Sequence, residues 1–234
     1  MLVHTVFDLA GWLTAALLGI LVGRLNLLGS APKRSPFTDP GYFIALGLGA
    51  LCGAILVGSL NLNLAGTFAI GHSIAGGIVG GIVGVELYKW LNGIQGSTGR
   101  AFVAPLAAGI AVGRLGCFFA GLPDYTYGIP TSLPWGVDFG DGIPRHPVQL
   151  YESAAMLVFL MLYLRGIALR APLFLRDGFY LFVAYYGVQR FFWEFLKPYP
   201  TLVGPFNVFH ILCIAMVAYS LVMIGRNREF HPAR

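Results

Sequence analysis

Charge is scarce in this sequence: Asp, Glu, Lys and Arg make up only 11% of its 234 residues. Soluble domains carry charge on about 25% of residues, so a surface turned wholly to water is excluded. Cysteine is nearly absent too, with Cys52, Cys117 and Cys213 each set inside an apolar segment. An odd, scattered trio argues against a disulfide framework. No paired Cys or His spacing is present either, so neither a metal nor another cofactor is expected. The first apolar run, MLVHTVFDLA, lacks a basic region ahead of it and does not read as a cleaved signal peptide. No clear internal repeat appears, which weighs against a transporter built from inverted halves. The net charge of +5 is spread over short loops, without the basic stripe that nucleic-acid binding needs.

What remains is strongly apolar. Hydrophobic residues make up 57% of the chain, and the mean hydropathy is +0.74. Runs long enough to cross ~30 Å of hydrocarbon recur along its length. The 32 glycines suit close helix packing in lipid better than a β-barrel. We therefore expect an all-α integral membrane protein of about seven transmembrane helices, at 5–23, 42–60, 72–91, 101–119, 147–165, 177–196 and 204–224. Together they form a single transmembrane domain over residues 1–234. Breakers lie at Ser30 to Pro40, Asn61 to Gly66 and Asn92 to Gly99, and a long insert occupies about 121–147.

Basic residues orient these spans. Arg24, Lys33, Arg34, Lys89, Arg100, Arg165, Arg170, Arg176, Arg226, Arg228 and Arg234 fall on one side, whereas the other side has only Arg145 and Lys197. The positive-inside rule then places the N-terminus outside and the C-terminus in the cytoplasm. It also places the long insert on the outer face. At about 26 residues, and rich in Gly, Pro and aromatics, the insert suits a lid or rim, with Trp135 and Tyr127 at headgroup level.

Arg114 and Arg190 are the two basic residues within spans, where charge is costly and marks function by default. Both helices run outward, and Arg114 sits about 9 Å below the end of its own at ~1.5 Å per residue. Glu194 and Lys197 follow Arg190 at offsets that share its helix face. Snorkelling to the interface would explain either arginine without function. Two at similar depth suggest a shared anion, and guanidinium forks match phosphate oxygens. His72 opens the third span, ahead of Gly76, Gly80 and Gly84 on one face. The glycines read as a packing surface. His72 reads as a helix-start residue wetted by the interface or as a general base. Asp8, Asp124, Arg145, His146 and Glu152 belong near the same side. Cys117 reads as a small buried packing residue.

Four segments, in order, resemble the prolipoprotein diacylglyceryl transferase family. They are GHSIAGGIVGG (71–81), VGRLGCFFAG (112–121), YGIPTSLPWGV through PRHPVQLYES (127–153) and YGVQRFFWEFLKPYP (186–200). The resemblance implies a multi-pass enzyme of the bacterial inner membrane that transfers diacylglyceryl from phosphatidylglycerol. The acceptor it implies is the lipobox cysteine in a prolipoprotein signal peptide, with glycerol phosphate released. His72, Arg114, Arg190 and Glu194 match the family's motif residues and are the implied catalytic set. The arginines would bind phosphate, His72 would act as base or orienting group, and Glu194 would pair with Arg190. Gly128, Asp124, Lys197, His146 and Tyr151 are the implied substrate-binding residues.

The chain departs from the family's pattern at several places. Cys117 stands where the family has Asn, and LPDY stands where a Glu follows, so Asp124 offers the nearest carboxylate. Lys197 replaces the usual Arg, and Ala10-Gly11 stands in place of a Tyr-Gly pair. These departures keep open a phospholipid-dependent transferase with another acceptor. A non-catalytic lipid-binding or transport protein and a structural membrane subunit are further readings.

Overall fold

In hydrocarbon every backbone N–H and C=O needs a partner within the protein, so long apolar runs fold as helices. The computed structural model describes residues 2–29 and 39–230. Lys33, Arg34 and Arg234, three of the residues that orient the spans, lie outside the described residues, as does most of the 30–40 breaker. The described residues form seven long helices: α1 (Leu2–Arg24), α2 (Pro40–Leu64), α3 (Ile74–Leu91), α4 (Val103–Ala120), α5 (Val148–Ala168), α6 (Pro172–Glu194) and α7 (Val208–Phe230).

Six of them are long and apolar enough to cross a membrane, making this a multi-pass membrane protein. The remaining one, α6, is of full length but carries Arg176, Asp177, Arg190 and Glu194. Its charges are matched inside the protein. Asp177 is wholly buried against Arg176 and accepts from Asn227 Nδ2 at 2.9 Å. The helix begins at Pro172, ahead of the expected 177, because proline in a first turn forfeits only an N–H that has no helical partner. The third helix instead starts later than expected. Ser73 caps it, accepting from Gly76 N at 3.1 Å, so His72 lies just outside the helix.

Helices α4 to α7 enclose the core, where Val103, Ala107, Met156, Phe182 and Tyr186 are almost fully buried. α1 packs on α4, and α2 packs on α3. Glycine makes the second contact possible. A methyl group on Gly80 would fall 2.1 Å from the carbonyl oxygen of Gly49, and one on Gly53 would fall 2.3 Å from that of Gly76. The helix partner expected for the Gly76–Gly80–Gly84 face is therefore α2. The α2/α3 pair meets the remaining helices mainly through α7, leaving a space that faces α1 and α4.

The segment at 121–147 is folded rather than loose. A 3-10 turn at Leu122–Asp124 follows α4, and Val137–Asp138 (β1) pairs antiparallel with Pro144–Arg145 (β2). Between the strands, Asp138 Oδ1 accepts from the amides of Gly140, Asp141 and Gly142, closing a tight turn. Arg145 is held within the same turn by both oxygens of Asp141, at 2.6 and 2.7 Å. Ile129 N donates to Leu196 O at 2.7 Å and fastens the segment to the end of α6.

Candidate active site: a buried charge cluster beside one cavity

Three helices converge on Glu152. Oε2 of this α5 residue lies 2.8 Å from Arg114 Nε of α4, and Oε1 lies 2.7 Å from Arg190 of α6. Lys197, just past α6, reaches the same Oε1 at 2.8 Å. Arg190 Nε lies 3.0 Å from Glu194, whose other oxygen accepts from Asn207 Nδ2 at 3.2 Å. The Arg190 guanidinium also lies over the Phe209 ring, at 5.0 Å from its centre. Each of the five charged side chains is at most 6% exposed.

Burying ions is costly, and such a cluster holds only when each charge meets an opposite one. Glu152 meets that condition by touching three cations. Three cations (Arg114, Arg190, Lys197) minus two carboxylates (Glu152, Glu194) leaves one positive charge. The anion shared by the paired arginines is thus internal, and a single excess charge is left for a ligand. Lys197→Met should remove that excess while leaving both arginines on Glu152. We expect weaker retention of anionic phospholipid by the folded variant, read by lipid mass spectrometry of the purified protein.

Arg114 and Arg190 border an open-sided cavity of about 1080 Å³, lined by α1, α2, α3, α4, α6 and α7 and mostly apolar. Its volume exceeds that of typical small-molecule pockets, about 300–1,000 Å³. His72 is exposed on its wall, and Asp124 and Cys117 line it as well. The backbone around His72 is tightly held. Gly71 N donates to Ser59 Oγ and Ser73 N to Ala54 O, both at 3.1 Å, so α2 sets the position of the histidine.

Of the residues singled out by sequence, His72, Arg114, Arg190 and Asp124 therefore meet around one space. Glu194 and Lys197 lie behind the arginines in the buried cluster. Gly128, His146 and Tyr151 do not line the cavity. A methyl group on Gly128 would fall 2.5 Å from His146 O, so glycine lets these two strands of chain touch. Tyr151 Oη accepts from Trp135 Nε1 at 2.8 Å and lies 3.4 Å from His146 Nδ1, and its ring packs at a tilt against Trp193, 5.2 Å between centres. These contacts brace the 121–147 segment against α5 and α6.

Sequence reasoning left Glu152 at the margin, although a carboxylate in an apolar span is itself a signal. It also passed over His4, Asn207 and His210. His4 Nε2 lies 3.0 Å from Asp124 and 3.8 Å from Cys117 Sγ, and Arg114 stands 3.9 Å from that sulfur. His210 and Asn207 form a buried pair behind Glu194. No spacing in the sequence ties these residues together.

The family profile described as prolipoprotein diacylglyceryl transferase matches residues 6–226. Several relatives bear the name phosphatidylglycerol–prolipoprotein diacylglyceryl transferase. That of Geobacter sulfurreducens is 33% identical over 213 residues, covering 83% of this chain and 79% of the relative. A Vibrio vulnificus relative is 34% identical over 213 residues, covering 86% and 76%. The Pseudomonas fluorescens relative is 30% identical over 232 residues, covering 90% and 84%. No solved structure matches the chain. With a profile that runs from the first helix to the last and relatives aligned over most of their length, the chain belongs to the prolipoprotein diacylglyceryl transferase family.

Proposed function

We propose that this protein transfers the diacylglyceryl group of phosphatidylglycerol to the lipobox cysteine of a prolipoprotein signal peptide and releases glycerol phosphate. The observation that carries the reading is the single excess positive charge, presented by Arg114 and Arg190 to a lipid-sized apolar cavity. A phosphodiester carries one negative charge and would neutralise it, while the acyl chains occupy the apolar walls. As the thiol sulfur attacks the glyceryl CH2 carbon, a C–S bond forms and the C–O bond to phosphate breaks. The electron pair leaves on the phosphate oxygen, where the two guanidinium groups offset the growing charge. His72 takes the thiol proton. Glu194 orients Arg190, and Lys197 and Glu152 hold the cluster in register. Gly128, His146 and Tyr151 act by shaping the 121–147 segment rather than by contact with lipid.

The enzyme is proposed to lie in the bacterial inner membrane, with the N-terminus outside and the 121–147 segment on the outer face. The support is the bias of Lys and Arg to the other side. A green fluorescent protein fused to the C-terminus should therefore be bright, and a dark, correctly inserted fusion would reverse the topology.

To test the reaction, purified protein is supplied with phosphatidylglycerol bilayers and a lipobox peptide. The expected product is the peptide heavier by one diacylglyceryl group on Cys, with the gain lost in Arg114→Ala. His72→Gln should slow transfer by about 10²–10⁴-fold, the range for losing a positioned acid or base. Headgroup release without peptide modification would indicate another acceptor. Absence of turnover in every anionic bilayer tried would remove the transferase reading.

A further inference from the structure

His4, Cys117 and Asp124 come from three separate elements, the start of α1, the last turn of α4 and the 3-10 turn after it. Their ligand atoms (Nε2, Sγ and a carboxylate oxygen) all lie within 4.8 Å of one another. Two edges of this triangle are 3.8 Å, His4 Nε2 to Cys117 Sγ, and 3.0 Å, His4 Nε2 to Asp124 Oδ1. Tetrahedral zinc with N, S and O ligands at 2.0–2.3 Å requires edges of about 3.3–3.6 Å. Shifts of a few tenths of an ångström would bring both His4 edges to these values, and the third edge, Cys117 to Asp124, is at most 4.8 Å.

The supporting groups are also in place. His4 Nδ1 lies 2.8 Å from Asp8 Oδ2, which gives Asp8 the position to hold the imidazole proton there when Nε2, facing Cys117 and Asp124, takes a metal. A carboxylate behind a histidine is the usual outer partner of a zinc-bound imidazole. Asp124 has its own support, accepting from Thr126 Oγ1 through its other oxygen. The nearest cation, Arg114, stands 3.9 Å from Cys117 Sγ, with its charge already engaged by Glu152. His4, Asp8, Cys117 and Asp124 all border the cavity, so a fourth ligand position would open into it.

We propose that His4, Cys117 and Asp124 form a zinc site, with Asp8 orienting His4 and the open position taking the acceptor thiol. Three protein ligands and one vacancy are the arrangement of a catalytic zinc rather than a structural one. A thiol that binds there is held as thiolate, the nucleophilic form, and its proton passes to His72. Its sulfur is then placed beside Arg114, where the phosphate leaves. The metal site stands on geometry alone, whereas its use for the acceptor thiol rests on the transferase reading.

Cobalt(II) reports on both parts without turnover. Titrated into the purified, phospholipid-supplemented full chain, Co²⁺ should show saturable binding and a thiolate-to-metal charge-transfer band, both reversed by excess Zn²⁺. Cys117→Ser should abolish the band, and His4→Ala and Asp124→Asn should each weaken binding at least tenfold. Cys213→Ser should change nothing. Thermal unfolding of each variant without metal separates ligand loss from misfolding. No band in the wild-type protein, or a band that survives in Cys117→Ser, would overturn the site. A lipobox peptide should then intensify and shift the band, and its Cys→Ser counterpart should not. Equal spectra with the two peptides would overturn the acceptor assignment even if transfer is observed.

Discussion

Glu152→Gln should yield little folded protein, with a loss of about 3–5 kcal/mol, the usual cost of removing one partner from a buried ion cluster. In the native protein its carboxylate touches Arg114, Arg190 and Lys197. An amide in its place carries no charge, and Glu194 alone would face three buried cations. Its nitrogen would also put a second donor against the guanidinium groups. The measurement is the yield of monodisperse protein in detergent and its thermal unfolding midpoint. Adding Lys197→Met to the variant should recover part of the loss, because one unmatched cation goes with it. The two substitutions would then be non-additive, as expected for residues sharing one network. A Glu152→Gln protein with native stability would mean that water, not the carboxylate, balances these cations. Transfer should be abolished even in any folded fraction, since Arg114 and Arg190 lose the group that aims them at the cavity.

Gly80→Leu is expected to have the second largest effect, acting at a distance from the chemistry. The first carbon of any side chain there would meet Gly49 O at 2.1 Å and Gly53 Cα at 2.9 Å. Both are backbone atoms, so no rotamer can relieve the clash and α2 must move away. Overpacking costs about 1–3 kcal/mol and occasionally more. The displacement also carries Ala54 and Ser59, which hold the chain on either side of His72. Lower stability and slower transfer should therefore appear together. Gly23→Ala is the control, since nothing lies within 4 Å of a methyl group at that site. Its stability should stay level or rise by about 0.4–1 kcal/mol from reduced freedom of the unfolded chain. Normal stability and transfer in Gly80→Leu would show that the α2/α3 contact is looser than its geometry.

The helical membrane architecture was legible in the sequence because hydrophobic length is a local property, written in each run of 18 or more residues. The special status of Arg114 and Arg190 was legible for a related reason. A charge in an apolar span is costly wherever its helix lies, so the residue type alone marks it. Even the α2/α3 contact was half visible, as glycines spaced along one face of α3. Element ends were less so, and α3 starting after His72 depended on Ser73 serving as its cap.

What only the tertiary structure decided was the partner of each marked residue. Arg114, Glu152 and Arg190 lie on three helices, and which carboxylate neutralises which guanidinium depends on the order in which those helices pack. The same holds for His4, Cys117 and Asp124. Read along the chain they are a terminal histidine, a small apolar-segment cysteine and a loop carboxylate, with no ligand spacing to connect them. The contact of α1 with α4, and the turn of chain beyond α4, bring them within 4.8 Å. Sequence periodicity encodes which face of a helix is apolar. It does not encode which distant side chain will stand opposite, because that is set by packing among the helices as a whole.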